Sequence, residues 1–98
     1  MNATIQAMYA ALNGGPGMVM IGGTASYDNS KNRLTVQFKG SKAANVIVIE
    51  YQPQYDLFVM TFWKSRNRQA KLVSSYEGIL VGQVAEIFQN VTGLYLAL

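Results

Sequence analysis

The chain contains neither cysteine nor histidine. Without thiols it has no disulfides, no thiolate metal ligands and no cysteine nucleophile. The missing imidazole removes the usual general base near neutral pH, the commonest transition-metal ligand and every Ser-His or Cys-His pair. Charge is sparse as well, at 13% of residues. Yet 50% of the 98 residues are apolar, which is too much for a disordered segment and enough for one ordinary core. No apolar run approaches the ~20 residues of a spanning helix. Residues 1 to 27 hold no Lys or Arg, so a basic secretory leader is not expected, and cytoplasmic residence without a membrane is the default.

What charge there is lies unevenly. Eight basic and five acidic side chains leave a net +3. Lys64, Arg66, Arg68 and Lys71 fall in a window with no acid, just after Trp63. The other four, Lys31, Arg33, Lys39 and Lys42, flank one predicted strand.

The spacing of Ile5, Met8, Tyr9 and Leu12 predicts a first helix, capped by Asn2 or Thr4 and stopped at Asn13-Gly14-Gly15-Pro16-Gly17. This helix carries no charge, so its outer face is open to burial in a dimer or under a partner. Met18 to Ile21 reads as the start of a strand, bent at Gly22-Gly23 and resumed through Tyr27. After the Asp28–Asn32 turn, Leu34, Val36 and Phe38 alternate with polar neighbours, the mark of a strand with one wet face. Val46 to Ile49 is β-branched without a break and reads as a central strand ended by Pro53.

The stretch from Leu57 to Val91 organises the rest. Leu57 to Trp63 reads as a strand apolar on both faces, and Lys64 to Arg68 as a basic turn. In Gln69 to Tyr76, Ala70, Leu72, Ser74 and Tyr76 share one face of the next strand. Leu80, Val81, Val84, Ile87, Phe88 and Val91 then form the apolar stripe of a closing helix stopped at Thr92-Gly93. Leu94 to Leu98 is expected to tuck against the first helix or a sheet edge. The whole is expected to be one α+β domain: a mainly antiparallel four- or five-stranded sheet made of consecutive hairpins, with the N- and C-terminal helices packed on one face.

Three groups carry chemistry. The glycines from Asn13 onward follow a helix and precede a predicted strand, the reverse of a phosphate-cradling loop, and read as a turn. Asp28, Glu50, Asp56, Glu77 and Glu86 stand singly, without metal-binding spacing, although Asp56, Glu50 and nearby tyrosines could meet in space as an acid site. The cluster Trp63, Lys64, Arg66, Arg68 and Lys71 is the leading binding candidate. Its cations suit phosphates or an acidic protein surface, and its indole could stack a base.

Tyr76-Glu77-Gly78-Ile79, the helix with Val84, Ile87 and Phe88, and Val91 through Leu96 resemble the ending of small uncharacterised proteins of bacteriophages and bacterial mobile elements. Such a resemblance implies a genomic setting and supplies no catalytic residues. Together with the lack of His and Cys it points to a non-enzymatic accessory protein, with no cofactor or metal, that binds a protein partner such as a host factor. The alternative is single-stranded nucleic-acid binding through residues 63–71. A homodimer through the first helix, the tail or a sheet edge is expected as well.

Overall fold

A computed structural model describes residues 1–97 of the chain. Five strands follow one another as an antiparallel meander, in the spatial order β1 (Thr24–Asp28), β2 (Arg33–Gln37), β3 (Val46–Gln52), β4 (Leu57–Arg66) and β5 (Gln69–Ile79). Helices α1 (Ala3–Ala11), α2 (Pro16–Ile21) and α3 (Val84–Thr92) complete the chain. The α+β architecture and the central place of β3 are as the sequence predicts.

The period-two patterns decide which face is covered. Leu34, Val36, Ile47, Ile49, Met60 and Phe62 are all but inaccessible and form one cluster with Ile5, Met8 and Leu12 of α1 and Val84 and Phe88 of α3. The alternating residues Thr35, Val46, Val48, Val59, Thr61 and Trp63 lie on the other face, half-buried by one another, with no helix over them. Asn2 caps α1: its Oδ1 accepts from the Ile5 N–H at 2.8 Å, while its Nδ2 donates to Asn32 Oδ1 at 2.8 Å. One side chain thus starts the helix and ties it to the β1–β2 turn.

Met18 to Ile21 is helix, not strand. Pro16 stands in the first turn, where its missing N–H costs nothing, and Gly22 closes the helix at φ 60. The Gly23 N–H then returns to the Met18 carbonyl at 2.7 Å. Met18 and Ile21 are buried and Val19 and Met20 exposed, a three-residue interval that only a helix delivers. The Ile21 carbonyl accepts from the Lys39 N–H at 2.9 Å, which fixes α2 to the end of β2.

Two bulges shape β5. Phe62 faces Ser74 while Trp63 faces Leu72, so Val73 is an extra residue and the faces exchange there. Ala70 and Leu72 consequently lie beside Ser65 and Trp63 on the uncovered face, and Ser74 and Tyr76 beside Phe62 and Met60 over the core. The single face expected for Ala70, Leu72, Ser74 and Tyr76 is therefore split in two.

The second irregularity, between Phe58–Ile79 and Met60–Tyr76, contains Gly78 at φ 64. An added Cβ there would meet nothing within 4 Å. Gly78→Ala is therefore a test of backbone strain alone, and a loss of about 1–2 kcal/mol in a denaturant titration is expected.

The closing helix also starts later than its apolar stripe suggests. Leu80 and Val81 are 58% and 41% exposed, outside the packed stripe, and a single 3-10 turn, Val81–Gln83, precedes α3. Gly93 ends α3, and Leu96 is buried with its carbonyl accepting from Asn13 Nδ2 at 2.7 Å. The tail thus tucks against the end of α1. Leu98, the last residue of that predicted apolar tail, lies outside the described residues.

Candidate functional site

The meander sorts charge to the two ends of the sheet. At one end lie Asp28, facing Arg33, then Glu50, also facing Arg33, then Asp56 in the β3–β4 turn and Glu77 beside the Phe58–Ile79 pair. Lys31 and Arg33 are there too. At the other end β2 runs out into Lys39 and Lys42, β4 into Lys64 and Arg66, the turn holds Arg68, and β5 begins with Lys71. Six of the eight cations thus share one pole, and the four acids of the sheet and its turns, Asp28, Glu50, Asp56 and Glu77, are all at the other.

The acidic pole is largely occupied with itself. Arg33 Nε stands 3.4 Å from Glu50 Oε1, the one ion pair among the described residues. Asp28 Oδ1 accepts from the Ser30 hydroxyl at 2.6 Å, a bond that holds its carboxyl below the usual carboxylate range. The stabilisation this gives is present above the ordinary carboxylate value and fades as pH falls through the lowered one. The Tyr51 hydroxyl donates to Asp56 at 2.6 Å, which raises the tyrosine's pKa. Asp56 and Glu50 are thus committed to separate contacts rather than to one site. Among the described residues, no three acids come close enough to hold a metal ion.

The basic pole is built differently. β4 and β5 extend past β3, whose last pair with β4 is Val46–Trp63, so the hairpin from Lys64 to Lys71 projects beyond the sheet. Asn45 ties its base: Asn45 Nδ2 donates to the Ser65 carbonyl at 2.8 Å, and the Ser65 N–H donates to Asn45 Oδ1 at 2.7 Å. Lys64 Nζ reaches the Ser41 carbonyl at 3.4 Å, joining the ribbon to the loop that carries Lys42. Beyond Ser65 the ribbon has no lateral support.

The expected five-residue turn is two residues long. Asn67 and Arg68 form it, at φ 52 and 65, while Lys64 and Arg66 belong to β4. Both positions of such a turn need positive φ, and glycine usually takes the second. Here an arginine does, at a cost on the order of 1 kcal/mol. Lys64 and Lys71 face each other directly across the ribbon, and like charges so placed destabilise by roughly 0.2–1 kcal/mol. The tip therefore carries two local penalties.

Alternation along β4 separates the five residues of the sequence-predicted site. Lys64 and Arg66 share a side with Phe62, and Lys71 faces Lys64; Trp63 and its neighbour Leu72 are on the opposite, uncovered face. The indole Nε1 donates to Thr61 Oγ1 at 2.9 Å. The structure thus brings the four cations together and sets the tryptophan behind them.

Two open clefts mark the pole, one of about 360 Å³ lined by Thr24, Gln37, Lys39, Asn45 and Ser65 among others, and one of about 460 Å³ lined by Lys64, Arg66, Asn67, Gln69, Ala70 and Lys71. Lys39, Lys42, Asn67 and Gln69 were not among the sequence-predicted site residues. Hairpin pairing was the signal that could have found them, because a meander returns every second turn to the same end.

No family model, no curated protein and no solved structure matches this chain. No helix among the described residues is long and apolar enough to cross a membrane.

Proposed function

We propose that the protein is a non-catalytic binding module whose basic pole engages the phosphate backbone of a nucleic acid. The observation that carries this reading is the gathering of Lys39, Lys42, Lys64, Arg66, Arg68 and Lys71 at one end of the sheet, with the four acids of the strands and their turns at the other. Neutral folding pressure would disperse such a group, because like charges repel and nothing in the fold needs them there. Two of the six, Lys71 and Arg68, occupy positions that cost stability, and local rules are broken in this way where a residue is kept for contact with something else.

Lys71→Glu separates the two roles of that residue. The substitution replaces the Lys64–Lys71 repulsion by an attraction, so stability should rise by roughly 0.2–1 kcal/mol in a denaturant titration. Binding to a fluorescent oligonucleotide, followed by anisotropy at ~50 mM salt, should weaken at least tenfold. Wild-type protein that binds no oligonucleotide under these conditions would overturn the reading. So would an acidic peptide that displaces the oligonucleotide at equal concentration, which would make the partner an acidic protein.

The second reading is an accessory protein of a phage or mobile element that binds a host protein, and the exposed pair Val19 and Met20 on α2 favours it. Val19 is 83% exposed on a helix without charge. A partner bound by the wild type, lost with Val19→Asp and retained with Arg66→Ala/Arg68→Ala would point to this surface instead of the basic pole.

A further inference from the structure

The basic pole divides its side chains by type. Lysines 39, 42, 64 and 71 stand at the base of the projecting hairpin, while its tip reads Arg66-Asn67-Arg68-Gln69. Lysine is a point charge suited to phosphate, whereas arginine offers a fork matching guanine O6 and N7, and asparagine and glutamine pair two-fold with adenine N6 and N7. All four tip residues are exposed, and none is acidic, aromatic or aliphatic. A solvated turn needs no such restriction.

The shape agrees with that division. With its side chains a two-stranded ribbon is about 10 Å thick, which the ~12 Å major groove of duplex DNA admits and the ~6 Å minor groove does not. The Asn67-Arg68 turn is the tightest hairpin closure there is, so the leading end is narrow. Stacking of unpaired bases would need an exposed aromatic ring on the cationic side, but Phe62 there is fully buried, and Trp63 is on the other face and bonded to Thr61.

We propose that residues 66–69 enter the major groove of double-stranded DNA and contact base edges there, with Lys39, Lys42, Lys64 and Lys71 on the flanking phosphates. This rests on the nucleic-acid reading above and selects duplex over single strand. Arg68 is then the residue for which the turn tolerates positive φ without glycine.

The test uses a pool of short random-sequence duplexes and the same pool as single strands, with methyl green as a major-groove competitor and netropsin as a minor-groove one. Duplex is expected to bind about tenfold or more tighter than single strand, and methyl green alone should displace the protein. Arg68→Gly relaxes the turn, so thermal stability should hold or rise while duplex affinity falls by roughly tenfold. Arg66→Ala should weaken duplex binding similarly with the fold intact. Equal or tighter binding of single strands would overturn the inference and leave the basic-pole reading standing, as would displacement by netropsin. Tip variants that bind like wild type, beside a Lys39→Ala/Lys42→Ala protein that binds poorly, would overturn it in the same way. Absence of binding to either form would end both readings.

Discussion

Replacing Phe88 by alanine is expected to cost about 3–5 kcal/mol, a large share of the 5–15 kcal/mol by which such a domain is stable. Phe88 is fully buried, its ring 5.1 Å from that of Phe38 and 6.4 Å from that of Phe62, and Phe62 in turn stacks edge-on with Tyr76 at 6.0 Å. One ring therefore joins α3 to the residue after β2 and to the middle of β4. The cavity left by its removal has rigid walls on the sheet side, because neighbouring strands cannot close in without breaking register. A fall in melting temperature of more than about 12 °C is expected by circular dichroism. Leu80→Ser is the contrasting control. Leu80 extends the same apolar pattern in the sequence but is 58% exposed, and its replacement should move stability by no more than about 0.5 kcal/mol.

That contrast shows where sequence patterns hold and where they stop. Leu34, Val36 and Phe38, or Ile5, Met8 and Leu12, repeat at an interval belonging to one kind of element, so their buried faces can be read in advance. Met18-Val19-Met20-Ile21 is too short to show an interval, and its β-branched residues suggest strand. Pro16 and Gly22 decide for helix because they act on the backbone at its two ends. At Val73 no residue announces the bulge. The faces exchange there because the nine residues of β4 from Phe58 to Arg66 are matched by eleven of β5, one extra at each bulge, a constraint set by the partner strand rather than by β5 itself. The turn at Asn67-Arg68 was hidden for a related reason, since it lacks the glycine that normally marks it.

The candidate site was legible to a similar extent. Lys64, Arg66, Arg68 and Lys71 are close in sequence and stay close in space, because a hairpin brings its own arms together. Trp63 is also close in sequence, yet one step along a strand turns a side chain through the sheet, so proximity put it on the wrong side for joint action with the cations. Lys39 and Lys42 are more than twenty positions away from the cluster and join it only through the β2–β3–β4 register. The uncharged loop glycines had no comparable geometry behind them and serve as the α1–α2 turn.

Salt should weaken duplex binding steeply, and the slope can assign each cation its role. Every phosphate neutralised on B-DNA contributes about −0.9 to the slope of log K against log salt, so six phosphate contacts would give a slope near −5. Between ~50 and ~200 mM salt that is a loss of about a thousandfold. If Arg66 and Arg68 meet bases, only the four lysines remain on phosphates, and the slope should be closer to about −3.6. The paired variants then behave differently in the same anisotropy titration. Lys39→Ala/Lys42→Ala should flatten the slope by about 2 and weaken all sequences alike. Arg66→Ala/Arg68→Ala should lower affinity while leaving the slope nearly unchanged, because a contact to a base edge releases no counterion. A slope that flattens equally in both variants would place all six charges on the backbone, and the composition of the tip would then have to be explained by something other than reading bases.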